Sequence, residues 1–134
     1  MSVHSLRPEL RCAVAAARSK KAENIAVLDL RKLGAFTDFF LICSGLSHPQ
    51  IQAISDAIEE QLDKLGVVRA RREGNSRTAD WVLLDYGSFV VHVFSARARL
   101  FYDLERLWRA AARIAIPDSL PLPAAEPAEA ARKP

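Results

Sequence analysis

The stretch Phe39-Phe40-Leu41-Ile42-Cys43, followed by Ser44-Gly45-Leu46 and then Ser47-His48-Pro49-Gln50, decides the fold of this chain. An unbroken apolar run without polar alternation fits a strand covered on both faces, and so the interior of a layered sheet. Ser44-Gly45-Leu46 reads as a turn. Ser47 and Gln50 then stand at the S-x-x-Q spacing of a capping box. The helix they open carries Ile51, Ile54, Ile58, Leu62 and Leu65 on one stripe, and Gly66 is placed for a left-handed stop.

Working outward, Pro8 to Lys21 reads as a helix. Pro8 suits the first turn, Leu10, Ala13, Val14 and Ala17 recur at helical spacing, and Arg18, Lys20 and Lys21 suit the negative C-terminal end. Asn24 to Leu30 is a strand candidate, with a break at Leu33-Gly34-Ala35. Val67 and Val68 begin another strand that runs into Arg69, Arg71 and Arg72. A polar loop, Glu73 to Asp80, precedes the clearest hairpin, Trp81–Asp85 and Phe89–Phe94 around Tyr86-Gly87-Ser88. From Ala98 to Ala112 the pattern is helical again, with Leu100, Leu104, Leu107, Trp108 and Ala111 as the stripe. Phe101, Leu104 and Trp108 are expected to face inward, and Tyr102, one position off, to be partly exposed. The order of elements predicts an α/β fold, a mixed β-sheet with flanking helices. Residues 1–115 form the domain. Residues 116–134 hold five of the seven prolines and are expected to be a disordered Pro/Ala-rich tail.

Composition agrees with one globular domain. The chain has 134 residues, is 50% hydrophobic and 26% charged, and carries 19 Lys+Arg against 16 Asp+Glu for a formal charge of +3. A chain of this size buries roughly two-thirds of its unfolded surface, enough for one core without staples. No window approaches ~18 uncharged apolar residues, so no membrane span is expected. Met1 to Glu9 lacks an apolar h-region, so no secretory signal is expected. Cys12 and Cys43 read as reduced, buried thiols of a cytoplasmic protein. A charge of +3 does not by itself imply a nucleic-acid partner.

Catalytic chemistry finds little support. No Gly-rich phosphate loop is present; Ser44 to Ser47 presents backbone N–H groups to an anion or serves only as turn and cap. The cysteines and histidines have no zinc spacing, so no metal or cofactor is expected. His92, inside an apolar strand, reads as a structural histidine without a nucleophile beside it. No second carboxylate accompanies Asp29 or Asp85 in its strand, and Asp38 precedes one, so no two-metal site is spaced for. Two arginine clusters, Arg69/Arg71/Arg72/Arg77 and Arg97/Arg99/Arg106/Arg109/Arg113, neutralise phosphates or form an ordinary solvated face. Aromatic residues are more informative: Trp81 after the polar loop, Tyr86 in the hairpin turn and Tyr102 beside Asp103 suit anchors of a protein interface. Strand alternation puts Trp81, Leu83 and Asp85 on one face. A two-residue hairpin loop would place His92 on that face, and a three-residue loop would reverse the parity.

These residues resemble a known family, the ribosomal silencing factors, also called RsfS or Iojap proteins. The resemblance rests on Thr37 to Ser47 with Gln50, Glu73-Gly74, Asp80 to Gly87, Val91-His92-Val93-Phe94 and Arg99 to Trp108, and covers about Leu10 to Trp108. It implies a nucleotidyltransferase-like fold lacking the catalytic carboxylates, and no enzyme activity. It further implies a translational repressor that binds the large ribosomal subunit through its L-fourteen ribosomal protein. Occupying that surface blocks association with the small subunit and lowers translation in starvation or stationary phase. A role in large-subunit maturation is also implied. The partner-binding residues it implies are Trp81, Tyr86 and Tyr102, with Asp85, Gly87, Arg99 and Glu105 in matching blocks. Ser88 stands where many members have an acidic residue. Two other readings stay open: an RNA-binding or subunit-assembly module with rRNA contact, and a working nucleotidyltransferase. The free protein has self-association into a homodimer as a further option.

Overall fold

The computed structural model describes residues 6–69 and 71–120. In chain order the elements are α1 (Pro8–Ser19), β1 (Glu23–Asp29), β2 (Phe39–Gly45), α2 (His48–Lys64), β3 (Arg71–Glu73), β4 (Trp81–Asp85), β5 (Phe89–Ser95), α3 (Ala96–Tyr102), α4 (Leu104–Leu107) and β6 (Ala112–Arg113). The strands form one sheet in the order β3-β4-β5-β2-β1-β6. Only β2 and β5 run parallel; every other neighbouring pair is antiparallel. This is the mixed sheet with flanking helices expected from the sequence.

The apolar run 39–43 lies in β2, buried along its whole length. Its alternate residues feed two cores. Phe39, Leu41 and Cys43 join Val91 and Val93 of β5 and pack beneath Leu10, Val14, Ile51, Ile54, Ile58 and Leu62 of α1 and α2. Phe40 and Ile42 join Val90 and Phe94 on the opposite face, where Ala98, Leu104 and Trp108 cover them.

The helix ends follow local chemistry. Ser47 Oγ accepts the Gln50 N–H at 3.2 Å, as a cap should. Gln50 does not complete the box by reaching back to Ser47. Its Oε1 accepts the Leu46 N–H, and its Nε2 donates to the carbonyls of Lys20 and Lys21 at 3.0 and 3.1 Å, tying the end of α1 to the start of α2. At the other end of α2, Gly66 takes φ 78°, and the bonds from Gly66 N–H to Asp63 O and Val67 N–H to Leu62 O make a Schellman motif.

That motif corrects the strand expected from Val67. Val67 is used to close the helix and packs on the first core, while Val68 is 83% exposed; among the described residues the first strand pair is at Arg71. Leu65, at the cap, lies off the buried stripe and is exposed.

The expected helix from Ala98 to Ala112 is also corrected. It starts at Ala96, capped by Ser95 Oγ, and breaks at Asp103, which adopts φ 47°. Aspartate tolerates this left-handed conformation better than most residues. The break redirects the chain so that Leu104 and Trp108 reach the second core, and β6 then pairs with β1 through Leu28↔Arg113 and Asp29↔Ala112. Phe101, Leu100 and Leu107, expected inward, are exposed. Beyond β6, Ile114 is buried and Ile116 and Leu120 pack on the first core. Residues 121–134 of the expected tail lie outside the described residues.

Gly74 marks a tight crossing. It has φ 87°, and a Cβ there would sit 2.2 Å from the Trp81 carbonyl oxygen and 3.0 Å from Val82 Cα. Gly74→Ala is therefore expected to lower the unfolding free energy by about 2 kcal/mol or more in urea denaturation.

Candidate functional site

Trp81 opens β4 and pairs with Phe94 of β5. The hairpin closes through the Tyr86 N–H to Phe89 O bond, so the connection is the two residues Gly87-Ser88. Gly87 takes φ 85°, which glycine adopts freely. This settles the parity: His92 lies opposite Leu83 on the face of Trp81. The Trp81 Nε1–H donates to His92 Nδ1 at 3.1 Å.

Around Trp81 the aromatic rings are contiguous. Its centroid is 4.6 Å from Tyr102 and 4.9 Å from Phe94, and Tyr102 is 5.0 Å from Phe101. Phe101 is 78% exposed and Tyr102 49%. With Asp80 and Arg97, the side chains of Trp81, Phe101 and Tyr102 line an open cavity of about 580 Å³. Leu100 and Leu107, also exposed, continue the apolar surface along α3 and α4. Exposed apolar and aromatic side chains gathered in one place mark an interaction surface more often than chance.

The other expected site residues fall elsewhere. Tyr86 has the opposite parity. Its ring stacks on Phe89 at 4.9 Å and packs against the first core, on the far side of the sheet from Trp81. Burial, then nearby Glu59, pushes its hydroxyl up to about 12. Asp85 Oδ1 accepts the Gly87 N–H at 2.9 Å, and the Gly87 carbonyl accepts the Thr37 hydroxyl at 2.8 Å. Both therefore brace the turn and its attachment to the chain entering β2.

Arg99 and Glu105 form a two-pronged pair at 3.0 and 3.1 Å across the Asp103 break. Arg99 also donates to Ser44 Oγ of β2, and Arg113 donates to Glu105 at 2.7 Å. The Arg99 hydrogen bond, helped by Arg113 and opposed by burial, holds the Glu105 carboxyl below its usual range. This cluster fixes the path of α3 and α4 and lines a separate cavity with Asn24. Alternation already separates Tyr86 from Trp81 in the sequence. Exposure of Phe101 and Leu100 has no such signal, because it follows from the break at Asp103.

The arginine clusters divide as well. Arg69, Arg71 and Arg72 pair with Glu59, Glu73 and Asp56. Arg97, Arg106 and Arg109 are exposed beside the aromatic surface. Cys12 and Cys43 are free and buried, with thiols pushed up to about 11 and about 12 by burial. Among the described residues no three His, Cys, Asp or Glu side chains gather as metal ligands, and no helix is long and apolar enough to cross a membrane.

The fold and the site thus define an α/β domain that displays an exposed aromatic surface. The family model described as "Ribosomal silencing factor during starvation" matches residues 3–134, and the chain belongs to that RsfS family. The ribosomal silencing factor of Bacillus subtilis is 44% identical over 99 residues, covering 74% of this chain and 83% of the relative. The chloroplastic Iojap protein of Zea mays is 39% identical over 106 residues, covering 76% of this chain and 44% of that longer protein. A crystal structure from Chromobacterium violaceum superposes with a TM-score of 0.73 at 28% identity, covering 89% of this chain and 98% of that one. One from Bacillus halodurans gives 0.70 at 39% identity, covering 80% and 96%. Membership gives the chain a ribosome-associated, regulatory role in silencing translation.

His92 makes the face sensitive to acid. Burial lowers it from the ordinary 6.5 to about 4. Because the indole only donates, Nδ1 is the acceptor and the proton of the neutral ring sits on Nε2, which finds no partner among the described residues. A buried polar group left unmatched costs about 1–3 kcal/mol. The unfolded imidazole protonates near 6.5 while the buried one resists until about 4. The contribution is thus complete above 6.5 and lost as pH falls toward 4. Urea titrations are expected to show a loss on the order of 3 kcal/mol across that window, absent in His92→Asn.

Proposed function

We propose that this chain represses translation by docking on the large ribosomal subunit through its L-fourteen protein and physically excluding the small subunit. The observation that carries this reading is the aromatic surface where exposed Phe101 and Tyr102 meet the partly buried Trp81, in a domain whose family is named for ribosome silencing. Such a mechanism needs no chemistry, only occupancy: two bodies cannot share one face, and the outcome is competition by mass action. Large aromatic anchors in a desolvated contact are the residues that dominate such energetics. Lower translation in starvation, and a cytoplasmic location with the ribosomes, follow from that role.

The contact residues are Trp81 and Tyr102. Asp85, Gly87, Arg99 and Glu105 act by holding the hairpin and α3 in place. Tyr86 faces away from this surface and belongs to the core side of the sheet. Arg97, Arg106 and Arg109 flank the aromatic surface without a carboxylate partner among the described residues, which supports a secondary contact with ribosomal RNA and a faster, salt-sensitive approach. The same open face is where a free homodimer would form.

Trp81→Ala and Tyr102→Ala are each expected to weaken co-sedimentation with large subunits roughly thirty-fold, about 2 kcal/mol, while leaving the far-UV spectrum intact. Tyr86→Phe is expected to bind as the wild type. Wild-type binding by both alanine variants would refute the site. Subunit joining followed by light scattering tests the mechanism: normal coupling in saturating protein refutes steric exclusion.

A further inference from the structure

We propose that His92 is the positioning residue of the docking face: its Nδ1 accepts the Trp81 indole N–H and so fixes the angle at which Trp81, with Tyr102 against it, meets a partner. The proposal rests on the docking role given above and adds to it a residue that never touches the partner, since His92 is only 3% exposed.

Three observations carry it. The 3.1 Å bond from Trp81 is the indole's polar anchor, and it joins the partly buried ring to a buried one. The imidazole is itself held between rings: Phe40 meets it edge-on at 4.5 Å, and Phe94 lies nearly parallel at 6.0 Å. An acceptor so confined transmits its orientation to the indole. Finally, packing alone does not account for a histidine here. An apolar ring between Phe40 and Phe94 would bury no Nε2–H, the atom that finds no partner among the described residues. What the histidine adds is the acceptor. A side chain fixed before contact loses less freedom on binding, so the gain appears as affinity.

The test uses the full chain with ¹⁵N-labelled indoles, the Trp81 resonance being assigned through Trp81→Phe. In His92→Phe the Trp81 indole N–H is expected to shift upfield and exchange faster, and affinity for large subunits to fall roughly tenfold. His92→Asn keeps an acceptor near the Nδ1 position and is expected to restore both. Wild-type affinity in His92→Phe, an unchanged indole signal there, or equal weakening by His92→Asn with its indole bond retained overturns the proposal. If His92→Phe fails to give a native far-UV spectrum, His92→Asn decides: indole bond and affinity kept or lost together support the proposal, and one without the other refutes it. Trp81→Ala separates the two readings. If it binds normally, the docking role falls and takes this proposal with it. If it weakens binding while His92→Phe does not, only the positioning role falls.

Discussion

The parallel register of β2 on β5 is the constraint from which the remaining geometry follows. It runs unbroken from Phe39↔Phe89 to Gly45↔Ser95. Each strand sends alternate residues to the two faces, so this pairing decides which side chains meet α1 and α2 and which meet α3 and α4. A slip of one residue would exchange the two sets completely. The register also places His92 beside Ile42, and the hairpin then carries Trp81 onto the same face. A surface feature on β4 is in this way fixed by an interior pairing two strands away.

The two faces are covered unequally. On one, helices of twelve and seventeen residues lie across the sheet, and the apolar side chains beneath them are almost wholly buried. On the other, the cover is seven residues of α3 and four of α4, with a left-handed break between them. Short helices leave ring surface uncovered. Trp81, Phe101 and Tyr102 lie at that margin, partly supported by Phe94 and partly open. The face is stable because its inner layer, Phe40, His92 and Phe94, is buried, and it is available because its outer layer is not.

Most of the architecture was legible in the sequence because periodicity reports burial directly. The run 39–43 indicated an interior strand, Ser47 and Gly66 marked the ends of α2, and the hairpin around Gly87 was placed. What failed were features set by tertiary geometry. Val67 looked like the first residue of a strand but serves as the apolar end of a Schellman motif. The stripe from Leu100 to Ala111 matched helical spacing, yet Asp103 breaks it, and periodicity cannot register one residue with positive φ. The site was half legible. Trp81 and Tyr102 do come together, whereas alternation places Tyr86 on the opposite face, and Arg99 and Glu105 pair with each other across the Asp103 break.

That division has an energetic basis. Arg99 gives hydrogen bonds to both Glu105 oxygens and to Ser44, so three of its five N–H donors are already engaged within the chain. Recruiting it to a partner would break a half-buried pair and leave Glu105 to Arg113 alone. The Gly87 carbonyl is likewise occupied by Thr37. Groups so engaged would contribute to the proposed interface chiefly through the shape they hold. By contrast, the open edges of Trp81, Tyr102 and Phe101 lose only water on contact, and removing water from ring surface is favourable. In the proposed docking role, binding energy would therefore concentrate in the rings, and the polar residues of the same motif would set whether those rings stand where a partner can meet them.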